Sequence, residues 1–290
     1  MAPINRLNPA QGDAAYAAAQ VVVETHRRLA EFLRVGLKLS EIDDFVAKQL
    51  ADQDARSCFV GYTPRRGKIV PFTSHACLSL NECVVHGTRT YVSRPIQQGD
   101  LLKIDIGVWH KSWIGDAAWT YSFGPPSPLA KRLMECGKKA LAEGVKQMRP
   151  DKKLVDWAKV VQDIVEREYG FRSIRGLGGH GLCEGGKAAL HGPPFVANNR
   201  PEGLNDWPEA NDPWTPGMLV AVEPMIAAGT SKVKDKPASR SSSPLPADVV
   251  WPEIVADGSL SVHYEHDVLI TDGAPRILTE GLEKTPDVIG

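Results

Sequence analysis

The chain has 290 residues, 42% of them hydrophobic, which is ample for a buried core in one large domain or two small ones. Its 34 basic and 35 acidic residues leave a formal net charge of -1, so there is no electrostatic case for binding nucleic acid or an anionic membrane surface. Five cysteines (Cys58, Cys77, Cys83, Cys136, Cys183) form no CxxC pair or zinc-finger spacing, and neither the amino terminus nor any later segment carries an export or membrane-spanning apolar run, which predicts a cytoplasmic protein.

In chain order, a helix is expected from Asp13 to near Gly36, then a second over LSEIDDFVAKQLADQDA with Ser40 as its cap. Short strand-like runs follow: ACLSLNECVVHG, LLKIDIGVW and AAWTYSFG. Helices PLAKRLMECGKKALAEGVKQM and KLVDWAKVVQDIVEREYG then precede strands MLVAVEPMI and SLSVHYEHDVLIT, so the chain reads as two related halves. Two stretches dense in Pro, Gly, Asn, Asp and Ser, about 195–216 and 229–250, read as surface excursions. The expected organisation is a single domain over 1–290, with its core at about 13–280.

The run LLKIDIGVWHKSWIGDAAWTYSF raises the main question. Leu102, Ile104, Ile106 and Val108 form one alternating apolar face, which puts Asp105 on the other; Asp116 likewise lies off the face of Trp119, Tyr121 and Phe123. A hairpin closing about His110 and Lys111 would set Asp105 directly opposite Asp116, and two adjacent carboxylates need a cation or a proton between them. The plain alternative is a half-exposed sheet whose aspartates face water.

Two further acids weigh against that alternative. Glu223 sits in an apolar run just before Pro224, and Glu265 shares a strand face with His263 and Asp267. His180 lies among glycines in GLGGHGLCEGG, which suits a close backbone approach to a ligand. Four carboxylates and one imidazole form a hard, oxygen-rich donor set that favours Mn, Fe, Co or Zn, and two such ions sharing carboxylates suit hydrolysis. His26, His75, His110, His263 and His266 read as structural or solvated.

The motifs NECVVHG, KIDIGV, IGDAAWTYSFG, GGHGL, VAVEPMI and HYEHDVLIT, in order across about Val60 to Thr279, resemble type I methionine aminopeptidases. That resemblance implies an α+β, pita-bread fold, a pseudo-twofold repeat of helices packed on a curved antiparallel sheet. It implies two divalent ions per chain held by Asp105, Asp116, His180, Glu223 and Glu265, with Asp116 and Glu265 bridging and Glu223 also relaying a proton. His86 matches a histidine near the substrate amine, and His191 one that stabilises the developing oxyanion. Phe72, Cys77 and Trp251 fall where the family lines its methionine pocket.

The activity implied is removal of the initiator methionine from peptides and nascent chains with a small second residue, by metal-hydroxide attack on the first peptide carbonyl. The expected protein is a monomer with transient ribosome association and no specific nucleic-acid or membrane partner. Three features depart from the family pattern: His191 follows His180 by a step of eleven, Leu190 stands where an aromatic is common, and PRRGKIV lengthens the loop before the pocket. A proline-directed relative and a non-catalytic binding protein on the same scaffold are the alternatives.

Overall fold

Asn8 starts the first helix earlier than Asp13. Its side chain accepts from the Gln11 N–H while the Gln11 side chain accepts from the Asn8 N–H, and α1 runs Pro9–Phe32. The second helix, α2, spans Leu39–Asp52, and Ser40 is not its cap. Lys38 takes that position, with its backbone N–H donating to the Glu41 carboxylate at 2.8 Å, so Ser40 lies inside the first turn. This computed structural model describes residues 6–63, 70–203, 205–235 and 251–290.

The first half continues with β1 (Cys77–Leu80), β2 (Cys83–Val85), β3 (Leu101–His110) and β4 (Trp113–Phe123). The β3–β4 hairpin turns on Lys111 and Ser112, at φ of 48° and 67°, because a two-residue turn with both residues left-handed matches the strand twist. Asp105 therefore faces Ala118, and Asp116 faces Gly107, two positions away from the expected direct pairing. A shift of two preserves parity, so both carboxylates stay on one face as diagonal neighbours.

Neither face of this hairpin meets water broadly. Leu102, Ile104, Ile106 and Val108 are fully buried, and on the other face Asp116, Ala118 and Thr120 are buried as well. The half-exposed sheet is thereby excluded, since strands of the second half cover the polar face. The Glu265 N–H donates to Ala118 O at 2.9 Å, the Asp116 N–H to Asp267 Oδ2 at 2.8 Å, and the His263 N–H to Thr120 Oγ1 at 3.1 Å.

In the second half, α3 (Pro128–Val145) and α4 (Leu154–Gln162) come first, and a wider π turn over Asp163–Glu168 extends α4 across its expected length. Its longer strands are β5 (Gly178–Glu184), β6 (Lys187–Ala197), β7 (Leu219–Val222), β8 (Met225–Ala227), β9 (Val233–Asp235), β10 (Glu253–Val255), β11 (Ser261–His263) and β12 (His266–Leu269), with two-residue strands at Arg172–Ser173, Arg276–Ile277 and Val288–Ile289. The two expected long strands are each broken. β7 pairs with β12 in one sheet and β8 with β11 in another, so the antiparallel ribbon changes sheet at Glu223–Pro224 and Tyr264–Glu265. Pro224 has no N–H to continue a ladder, which explains the first break.

The 195–216 stretch is anchored from within: residues 201–203, 205, 206, 208, 209, 211 and 213 are exposed, but Trp207, Ala210 and Trp214 are buried, and Trp207 Nε1 donates to Phe195 O at 3.1 Å. Aromatic burial anchors what its Pro and Asn content marks as loop. Residues 229–235 lead into β9, which pairs with β10; residues 236–250, and 64–69 of PRRGKIV, lie outside the described residues. Among the described residues no helix is long and apolar enough to cross a membrane.

Candidate metal centre

The hairpin and the broken ribbon bring four carboxylates together. Asp105 and Asp116 project from one face of β3–β4, while Glu223 and Glu265 occupy the two breaks, where the backbone leaves one sheet for the next. His180 on β5 joins them, its Nε2 lying 4.0 Å from Asp116 Oδ2 and 3.9 Å from Glu223 Oε1. All five line one cavity of about 410 Å³.

Packing alone requires the glycines that flank His180. A Cβ on Gly179 would lie 2.3 Å from Ala221 O, and one on Gly181 would lie 1.9 Å from Pro193 O, so only glycine lets β7 and β6 close on both sides of the imidazole.

Burial and mutual repulsion set the charges. Burial first, then Glu223, raises the Asp105 carboxyl from 3.8 to about 8. Asp116 is pushed well up by burial and then by Asp105, and Glu223 and Glu265 are pushed well up by burial and then by Asp116. Burial and neighbouring His191 lower His180 to about 3, so at neutral pH it offers a lone pair and not a charge. Asp267 adds a fifth carboxylate, fully buried and raised by burial and by Asp116, with its Oδ2 committed to the Asp116 N–H.

His86 and His191 stand at the same cavity, and both have left-handed backbones, at φ of 59° and 58°. Non-glycine residues in that region persist where surrounding structure imposes them, often beside a functional site. The lengthened interval before His191 is absorbed in the β5–β6 hairpin. Its tip turns on Gly185 and Gly186, both with positive φ, and Cys183 pairs with Ala188, Gly181 with Gly192 and His180 with Phe195. The extra residues on β6 bend it, and the His191 ring packs edge-on to His180 with centroids 4.5 Å apart.

The family sequence pattern described as Metallopeptidase family M24 matches residues 13–272. This chain belongs to that family. Among M24 relatives, the methionine aminopeptidase of Aquifex aeolicus is 34% identical over 263 residues, 91% of this chain and 93% of that protein. The crystal structure of methionine aminopeptidase from Thermotoga maritima superposes with a TM-score of 0.80 at 27% identity, covering 95% of this chain and 99% of that one. The Xaa-Pro dipeptidase from Bacillus anthracis, at 17% identity and a TM-score of 0.68, shares the fold, with 96% of this chain matching 62% of that one. The architecture is thus the α+β pita-bread arrangement of M24 proteins.

M24 membership brings divalent metal use, and the donors here suit it. Asp105 Oδ1 and Asp116 Oδ1 are shut off from solvent without a hydrogen-bond partner, a costly state that a cation relieves. Two triads, Asp116–His180–Glu265 and Glu223–His263–Glu265, each bring their donor atoms within 4.8 Å of one another.

The second triad contains His263, whose strand context alone marks it as structural or solvated. His263 Nε2 lies 3.0 Å from Glu223 Oε2, whereas His26, His75, His110 and His266 bond Tyr121, Asp43, the Asp54 carbonyl and Thr279 outside the cavity. Burial lowers His263 to about 3. Its parity with Glu265, two residues on, was the available signal. Glu253 and Tyr62 were also missed: Glu253 Oε1 is 3.1 Å from His86 Nδ1, and Tyr62 Oη is 2.6 Å from His191 Nδ1. Nothing local in the sequence marks either, because both reach their histidines across the fold.

The wall of the cavity is apolar. Phe72 and Cys77 cluster with Phe59, and Trp251 packs edge-on to Phe72 at 5.4 Å and to His86 at 4.6 Å. Leu190 lines the same space.

Proposed function

We propose that this chain removes the amino-terminal methionine from peptides and nascent chains whose second residue is small. The carrying observation is a cavity whose floor holds the half-buried Asp105 and the buried Asp116, Glu223 and Glu265 with His180, and whose wall is sulfur- and aromatic-lined, a surface suited to an unbranched thioether. Asp105, Asp116, His180, Glu223 and Glu265 would hold two divalent ions, drawn from Co, Mn, Fe or Zn, since four carboxylates balance two doubly charged cations. When bound, such ions supply Lewis acidity and an activated water at neutral pH.

The protein's own groups do the rest. Glu253 accepts from His86 Nδ1–H, which leaves His86 Nε2 to receive the substrate amine. Tyr62 Oη donates to His191 Nδ1, so Nε2 carries the ring proton and donates to the developing oxyanion. Burial, then His86, holds His191 at about 4, so it is neutral in the working range. Glu223, whose carboxyl is raised by burial, carries the proton from water to the departing amine. Phe72, Cys77 and Trp251 hold the methionine side chain and exclude water from it.

We read the chain as one catalytic domain, a cytoplasmic monomer that meets nascent chains through transient ribosome association; five thiols without a disulfide fit a reducing compartment. Turnover of Met-Ala-Ser, its alanine-initiated analogue and an Xaa-Pro peptide by the metal-loaded protein tests the substrate. Methionine release from the first alone is expected. Preference for Xaa-Pro would replace this reading with a proline-directed peptidase, and no turnover of any would favour a binding protein.

A further inference from the structure

Glu223 sits in a strand break, so its side-chain direction is not fixed by a regular ladder on both sides. Asn198 Nδ2 donates to the Glu223 carbonyl at 2.9 Å and steadies the backbone, but the carboxylate needs its own anchor. His263 Nε2 is 3.0 Å from Glu223 Oε2, and the other oxygen, Oε1, points toward His180 Nε2 at 3.9 Å. The imidazole is itself held: Thr120 Oγ1 accepts from the His263 N–H at 3.1 Å and donates to its carbonyl at 2.8 Å, and the residue is buried.

We propose that His263 is a positioning residue: its Nε2–H donates to Glu223 Oε2 and so presents Glu223 Oε1 to the cation site beside His180 and Asp116. The proposal rests on the metallopeptidase reading and deepens it. With a cation bound Glu223 is ionised and only accepts hydrogen bonds, so in that state the short contact requires the ring proton of neutral His263 on Nε2. A group fixed in this way cannot swing its free oxygen out of the site, which is how an outer hydrogen bond tunes metal affinity. Thr120 extends the chain of support to β4, two residues past Ala118, on the face that carries Asp116. One strand therefore supplies a carboxylate directly and orients a second through Thr120 and His263.

The rival assignment makes His263 a ligand in its own right, since its donor atom, Glu223 and Glu265 lie within 4.8 Å. The two predict different behaviour for glutamine, whose amide N–H can replace the Nε2–H donor but is a poor substitute for an imidazole ligand. The test compares wild type, His263→Gln, His263→Asn and His263→Ala by Co(II) titration calorimetry, the visible spectrum of the Co(II)-loaded protein, and kcat and KM on Met-Ala-Ser.

His263→Ala should weaken Co(II) binding by roughly 10–100-fold and lower kcat more than it changes KM, while His263→Gln should recover affinity to within about threefold and keep the wild-type spectrum. His263→Asn, too short to reach Glu223, should behave as the alanine variant and serves if that variant fails to fold. Wild-type affinity in both short variants would overturn the proposal, as would a glutamine variant as impaired as alanine with an altered spectrum. A wild-type protein that binds no Co(II) would instead remove the metallopeptidase reading beneath it.

Discussion

The hairpins β3–β4 and β5–β6 deliver side chains to the same cavity and are built in opposite ways. β3–β4 runs from Leu101↔Ser122 to His110↔Trp113 with no shift of register and is buried almost throughout. β5–β6 shifts register twice, at His180/Gly181 and Gly181/Cys183, and much of β6 is half-buried or exposed. Carboxylates that repel one another need a platform that cannot yield, and an unbroken ladder covered on both faces provides one. A histidine that must be aimed at a substrate needs departures from the regular pleat, which the bulges and a left-handed His191 supply, while His180 on the same hairpin turns to the carboxylates.

Breaking the rigid side should have the larger effect. Asp116→Asn removes a carboxylate that raises the pKa of both Glu223 and Glu265, and should lower kcat/KM for Met-Ala-Ser by about 1000-fold or more while abolishing tight cation binding, as measured by calorimetry. The adaptable side should respond differently. His191→Ala should cost on the order of 100-fold in kcat through the lost oxyanion donor, with cation affinity retained. Equal loss of cation binding in both variants would mean that the two hairpins do not divide the work.

A third prediction concerns stability. In the metal-free protein Asp105 has its folded pKa raised from 3.8 to about 8, so the folded state keeps a proton that the unfolded chain loses. The stability this contributes is complete below about pH 4 and is lost as pH rises toward 8. Added cation replaces the proton, so the Tm increase on metal addition should be greater at pH 8 than at pH 5 by scanning calorimetry. The smallest effect belongs to the tip of β5–β6: Gly185, at φ 60° with open space around it, should cost about 1 kcal/mol on substitution by alanine and leave kcat unchanged, by denaturant unfolding and assay.

Strand alternation made the acids legible, because a period of two assigns Asp105, Asp116 and Glu265 to faces without knowledge of the partner strands. Register was not legible to the residue: placing the turn at His110–Lys111 instead of Lys111–Ser112 moved the pairing by two, and only parity protected the conclusion. Pro224 announced one strand break, but nothing in the alternation of HYEHDVLIT announced the other, at Tyr264–Glu265. His263 looked like an ordinary strand histidine because the carboxylate it meets, Glu223, lies 40 residues away. Trp207 and Trp214 went unnoticed among loop-forming residues, though their burial fixes that segment.

The direct test of the account is methionine release from Met-Ala-Ser before and after chelation, with the protein dialysed free of chelator and then resupplied with Co(II) or Mn(II). Release should cease on chelation and return when the ions do, with circular dichroism showing the fold intact throughout. Undiminished release from fully stripped protein would contradict the claim that cations neutralise Asp105, Asp116, Glu223 and Glu265 to make the catalyst.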